Sequence, residues 1–70
     1  MQINFTELKI RVQKVIDSLV AKDREVTTLR LNEARDLLEE LTDYANNDGD
    51  LIELSRYRIL LDQLELKNGN

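Results

Sequence analysis

Three stretches of the chain repeat apolar residues at intervals of three or four, the spacing of one face of an α-helix. The first predicts a helix from about residue 4 to 21. It begins with a capping box, in which Asn4 precedes Glu7 by three positions. Its apolar face comprises Phe5, Leu8, Val12, Val15, Ile16, Leu19 and Val20.

The second stretch predicts a helix from about residue 28 to 45. Between Lys22 and Thr28 the apolar phase is lost, so we expect a short connection there, with Thr27 or Thr28 as the N-cap. One bent helix running through both stretches is the alternative. The second apolar face comprises Leu31, Ala34, Leu37, Leu38, Leu41, Tyr44 and Ala45.

The third stretch predicts a helix from about residue 50 to 66. It follows the turn-forming residues 46–49 and begins with a second capping box, Asp50 and Glu53. Residues 67–70 are expected to fray. The main apolar face comprises Leu51, Leu54, Tyr57, Leu60, Leu61 and Leu64.

A second apolar line runs along the far side of this third helix. Ile52, Ile59 and Leu66 follow one another at intervals of seven residues. A helix with two apolar faces lies at the centre of a bundle or docks on a second chain. Two neighbouring helices cannot surround it, so we expect these three residues to bind a partner.

These elements predict an all-α fold with residues 1–70 as a single domain. The helices form a three-helix bundle, or a helical hairpin with an extra N-terminal helix. A core of this size is marginal, and small domains are commonly reinforced by disulfides, metals or oligomerisation. The chain has no Cys and no His, so dimerisation is the reinforcement that we expect.

Charge is distributed unevenly around a net value of −4. Residues 1–35 carry seven bases and five acids, and residues 36–70 carry three bases and nine acids. Seven of those acids lie between Asp36 and Glu53, where there is no base. Four acids at the end of the second helix oppose its dipole, which suggests a partner-binding role for Asp36, Glu39, Glu40 and Asp43.

The residue types present exclude the usual catalytic and metal sites. Without His or Cys there is neither the commonest metal ligand nor a base for Ser55, and no Gly-rich phosphate motif is present. We therefore expect no enzymatic activity, cofactor or metal site. No apolar run is long enough to span a membrane, and the first residues do not resemble a signal peptide, so we expect a cytoplasmic protein.

Three functions remain open on these grounds. The first is a protein-interaction module, a regulator, adaptor or inhibitor, that uses the apolar line and the acidic residues. The second is nucleic-acid binding through Arg11, Lys14, Lys22 and Arg24. Two observations oppose it: the sequence pI is about 4.7, and the turn before the third helix is too long for a helix-turn-helix. The third is an acidic inhibitor that imitates nucleic acid, a type of protein that some phages and mobile elements encode. The alternative for the acids is a role in solubility alone.

Overall fold

Residues 3–69 form an all-helical bundle in the computed structural model. Helix α1 spans Thr6–Val20, α2 spans Arg24–Tyr44 and α3 spans Asp48–Gly69. The bundle is elongated, with principal extents of 37 × 17 × 14 Å and a radius of gyration of 12.3 Å. The all-α class and the three helical stretches expected from periodicity are therefore confirmed.

Helix α2 lies in the middle and packs against both neighbours, whereas α1 and α3 touch each other less. The Arg30 guanidinium donates to the Lys14 carbonyl at 2.8 Å, which ties α2 to α1. Towards the other side, the Asn68 amide of α3 donates to the Thr28 hydroxyl of α2 at 3.0 Å. Contacts move backwards along α2 as they move forwards along α1 or α3, so consecutive helices run antiparallel.

The core is aliphatic and draws on all three helices. Two polar side chains are also buried, and each donates to a backbone carbonyl: Ser18 to Val15 at 2.9 Å and Thr27 to Asp23 at 2.6 Å. Among residues 3–69, no buried side-chain nitrogen or oxygen lacks a hydrogen-bond partner. The buried apolar residues are Leu8, Val12, Val15, Leu31, Ala34, Leu37, Leu38, Leu54, Leu61 and Leu64.

Three residues assigned to apolar faces from the sequence are exposed instead. Val20 and Tyr44 are the last residues of α1 and α2, where the neighbouring helix no longer covers them. Leu51 is 43% exposed. It lies about 60° further round α3 than Leu54, on the side away from the core, as the rotation of roughly 100° per residue requires.

Helix α2 begins at Arg24, four residues before the expected start at 28. The N-cap is Asp23, whose side chain accepts from the Val26 amide at 3.2 Å, so the expected caps Thr27 and Thr28 were wrong. Both threonines lie inside the helix and donate their hydroxyls to carbonyls four residues earlier. This local bonding makes a β-branched pair compatible with the first turns of a helix.

The connection from α1 to α2 consists of residues 21–23. Asp23 donates its amide to the Ser18 carbonyl at 3.1 Å and Lys22 donates to the Leu19 carbonyl at 3.0 Å. This pair of bonds is a Schellman motif, in which the residue after the C-cap is left-handed. Lys22 holds that conformation with φ of 59°, in the place that glycine usually occupies.

The other helix ends also differ from the expected capping boxes. Asn47, not Asp50, caps α3, accepting from the Asp50 amide at 2.9 Å and donating to its carboxylate at 3.0 Å. At the start of α1, Asn4 accepts from the Thr6 amide at 2.9 Å, while Glu7 pairs with Arg11 rather than reaching back. The α2–α3 turn is therefore only residues 45–47. Helix α3 continues to Gly69, through residues expected to fray; Asn70 lies outside the described range.

Candidate functional site

The far side of α3 carries an apolar surface that no part of residues 3–69 covers. Ile52, Ile59 and Leu66, named here the α3 ridge, are 56%, 58% and 70% exposed. They lie opposite the buried Leu54, Leu61 and Leu64, so α3 does have two apolar faces. With a rise of 1.5 Å per residue, the ridge spans about 21 Å of the helix.

Leu51 enlarges the α3 ridge at its N-terminal end, a contribution that sequence analysis missed. It lines a shallow, mostly apolar depression with Ile52 and Ile59, bordered by Asp48, Ser55 and Arg56. The signal was present as two adjacent aliphatic residues. Helical periodicity assigned Leu51 to the buried face, because a sequence pattern does not define how wide that face is. The apolar surface is thus broader near Ile52 than near Leu66.

Polar residues border the α3 ridge on both sides. Arg56 lies 3.8 Å from the Glu53 carboxylate. Across the ridge, Asp62 accepts from the Arg35 guanidinium of α2 at 2.8 Å, and Glu65 lies 3.4 Å from the same guanidinium. The ridge is therefore arranged like a small binding surface, with aliphatic residues in the centre and charged residues at the rim.

Asp36, Glu39, Glu40 and Asp43, named here the acidic patch, are all exposed. They lie on the outward side of α2, opposite the buried Ala34 and Leu38, and none makes a hydrogen bond or ion pair through its side chain within residues 3–69. The α2 helix has no base in its last turn to offset them. Asp43, which lies in the last turn, raises the free energy of the folded helix slightly, because the C-terminal end of the helix dipole is negative.

The structure does not bring the α3 ridge and the acidic patch together. They belong to outward sides of different helices, and the Arg35, Arg58 and Asp62 side chains lie between them around a small depression that Glu39 also borders. A ligand that touches both surfaces must therefore extend across this charged band.

Of the four basic residues proposed for nucleic-acid binding, Lys14 is exposed on α1, and the other three divide into two groups. Arg11 bonds the Glu33 carbonyl at 3.0 Å and the Glu7 carboxylate at 3.3 Å, so its guanidinium serves α1–α2 packing. Lys22 and Arg24 instead line a depression with Lys67 at the end of the bundle. The short α2–α3 turn removes turn length as an objection to a helix-turn-helix. The two helices of a helix-turn-helix cross steeply, whereas α2 and α3 contact each other along their lengths.

The side chain of Tyr57 is partly buried between α1 and α3. Burial of its hydroxyl raises the pKa above 10, and the nearby Glu53 carboxylate adds to this effect. The ring stacks on Phe5, with centroids 5.9 Å apart and planes at 18°. This contact joins the start of α1 to α3, and its position in the packing makes Tyr57 a structural residue.

The described residues offer no arrangement for metal binding or membrane spanning. Within residues 3–69, no group of three or more Asp or Glu side chains is placed to hold a metal ion. No helix in the same range is long and apolar enough to cross a bilayer.

Comparison of the chain with protein-family models, curated proteins and solved structures gave no match.

Proposed function

We propose that the chain is a non-enzymatic protein-interaction module, a small regulator, adaptor or inhibitor, and that the α3 ridge is its main binding surface. The observation that carries this proposal is the alignment of Ile52, Ile59 and Leu66 on one outward helix face, with Leu51 beside them. Single exposed aliphatic residues are common on protein surfaces and need no explanation. Several on one face, bordered by charged residues, are typical of binding sites.

Burial of the α3 ridge is the source of affinity in this proposal. Each side chain is already partly covered by its own helix, so docking buries roughly half of it and contributes about 1 kcal/mol per residue. Four such residues offset only part of the cost of association, which is about 4–15 kcal/mol. The partner surface must therefore be apolar and closely complementary, such as a helix face or a groove.

The acidic patch contributes mainly to selection and to the rate of encounter. Exposed carboxylates attract a basic surface over a distance of about 8–10 Å, and salt weakens this attraction. A partner with an apolar face and a basic border fits both surfaces. Self-association through the ridge belongs to the same proposal, because a chain of 70 residues without disulfides gains stability from a dimer.

The first experiment replaces Ile52 and Ile59 together by Glu. We expect this variant to remain folded by circular dichroism but to lose both concentration-dependent self-association and partner capture. The matched control is Leu29→Glu, because Leu29 of α2 is 58% exposed, the same fraction as Ile59, and lies on another helix. Binding unchanged in the Ile52/Ile59 variant, or lost equally in the Leu29 control, contradicts the proposal.

A second variant separates the role of charge from that of apolar burial. Replacing the acidic patch by Asn and Gln is expected to slow association and to remove most of its salt dependence, while dissociation changes less. The measurement is binding kinetics at low and physiological salt. Kinetics identical to those of the unchanged chain would restrict the acidic patch to a solubilising role.

A further inference from the structure

We propose that the α3 ridge docks on the α3 ridge of a second copy, with the two helices antiparallel and Ile59 on the two-fold axis. This inference rests on the proposed function, since it takes the ridge as a binding surface and names its occupant. The contact is isologous, so the same residues serve both copies and the assembly closes as a dimer.

The spacing of the α3 ridge is symmetric about its central residue. Ile52 and Leu66 each lie seven positions from Ile59. Antiparallel docking therefore places Ile52 beside Leu66 of the second copy, and Ile59 beside Ile59 of the second copy. Every apolar residue of the ridge gains a partner.

Charges beside the α3 ridge select this orientation over a parallel one. In a parallel, in-register pair, Asp48 and Asp62 each face their own counterpart on the second copy, which places two pairs of like charges across the contact. In the antiparallel pair, Ser55 and Arg58, which lie on the same side of the ridge as Asp62, come within about 3 Å of the level of Asp62 of the second copy along the helix axis. Hydroxyl and guanidinium groups then donate towards a carboxylate.

Asp62 retains an acceptor for this contact. Its Oδ1 accepts from Arg35 at 2.8 Å, whereas its Oδ2 accepts no hydrogen bond within residues 3–69. Arg58 is similarly available, because its side chain makes no ion pair or hydrogen bond in the same range. The charges at the border of the ridge are therefore free to pair between copies.

The acids at one end of the molecule favour the same orientation. Glu40, Asp43, Asp48 and Asp50 lie around the α2–α3 turn, and residues 36–53 contain no base. A parallel pair sets these two groups side by side. An antiparallel pair separates them along the 37 Å length of the molecule, several times the screening length of about 8 Å at physiological salt.

The area available indicates a weak dimer. The exposed aliphatic side chains amount to roughly 400 Å² on each copy, so the apolar part of the interface is about 800 Å² in total. Stable complexes bury about 1,200–2,000 Å². We therefore expect a dissociation constant in the micromolar range or weaker.

The chain contains no Cys, so single introduced cysteines report which positions meet. Ile52→Cys and Leu66→Cys are oxidised separately and as an equimolar mixture, and Ile59→Cys is oxidised alone. We expect rapid linkage in the mixture and for Ile59→Cys, and slow linkage for the two separate variants. Rapid here means at least about tenfold faster than Leu29→Cys, the exposed control on α2, because docked thiols have a high effective concentration.

Two results would overturn the antiparallel dimer. Self-linkage of Ile52→Cys and of Leu66→Cys faster than linkage of their mixture shows a parallel pair. Linkage of every variant at the rate of the Leu29→Cys control, with sedimentation as a monomer at the same concentration, shows that the ridge does not bind a second copy. In either case the proposed function fails only if the Ile52/Ile59 double substitution also leaves partner capture unchanged.

Discussion

At the scale of single residues, Tyr57 has an environment that an alkaline titration reports directly. Its ring is held between the start of α1, through Phe5, and the body of α3. The neutral phenol tolerates this partial burial better than the phenolate does, and the Glu53 carboxylate opposes a second negative charge nearby. The pKa of Tyr57 is therefore a reporter of whether α1 is docked.

Replacing Tyr44 by Phe leaves Tyr57 as the only tyrosine in the chain. In this variant we expect the pKa of Tyr57 to lie above the ordinary tyrosine value of about 10, and to fall towards that value when guanidinium chloride unfolds the protein. The raised pKa contributes stability that is fully present below pH 10 and is lost as the pH rises through the folded value. Phe5→Ala should reduce the shift by exposing the ring. The measurement is the phenolate absorbance against pH, and equal titration in folded and unfolded chains would contradict it.

At the scale of helices, the α1–α2 connection retains backbone strain. Lys22 holds a left-handed conformation that costs a residue with a Cβ about 1 kcal/mol relative to glycine. The surrounding bonds hold it there, because Asp23 and Lys22 donate to carbonyls of the last turn of α1. Strain in such a place is removable without altering any packed side chain.

Lys22→Gly is expected to raise the free energy of unfolding by about 0.5–1 kcal/mol, since glycine adopts the left-handed conformation without steric cost. The matched control is Lys9→Gly, which removes the same exposed side chain from the interior of α1 and should lower stability by about 1 kcal/mol. Urea unfolding followed by circular dichroism measures both. A loss of stability in Lys22→Gly would show that the Schellman turn is not what holds this residue.

The helices themselves were predictable from the sequence, whereas their ends were not. Periodicity reports which residues a helix buries, and it located three stretches and the two apolar faces of α3. The N-cap is the residue whose side-chain oxygen accepts a hydrogen bond from a backbone amide of the first turn. Several residues able to do this lie within four positions of the start of each helix. Thr27 and Thr28 resembled caps, yet Asp23 lies one turn earlier and bonds the Val26 amide. Asn47 displaced Asp50 for the same reason.

The candidate surfaces were predictable to a similar degree. The exposure of Ile52, Ile59 and Leu66 follows from their position opposite the buried face, so helical periodicity alone predicts it. The separation of the α3 ridge from the acidic patch was not predictable. It depends on how α2 and α3 are rotated about their axes, which the Arg35 contact with Asp62 and Glu65 reflects. Such long-range contacts leave no periodic pattern in a sequence.

At the scale of the whole molecule, the central position of α2 makes the bundle one cooperative unit. The core residues of α2 divide their contacts between α1 and α3, while those two helices touch each other less. Removing either outer helix therefore uncovers about half of the core. A two-helix hairpin of fewer than about 50 residues buries too little surface to fold alone.

We expect a chain lacking residues 1–22 to lose cooperative thermal unfolding, because the core residues Leu8, Val12 and Val15 of α1, which packs against α2, would be absent. Circular dichroism against temperature measures this loss. Adding residues 1–22 as a separate peptide should restore part of the transition, which distinguishes lost packing from a general defect. A truncated chain that melts at the midpoint of the full chain would show that α2 and α3 are sufficient.

The α1–α2 connection also limits how the length of this chain can change. The amide of Asp23 donates to the last turn of α1, and its carboxylate caps the first turn of α2. One residue therefore serves both helix ends. One inserted residue would separate the two roles, because the amide that ends α1 and the carboxylate that begins α2 would then belong to different residues. Asn46, by contrast, belongs to neither cap of the α2–α3 turn. Related chains are therefore expected to accept insertions and deletions beside Asn46 and to keep the length of the Lys22–Asp23 step.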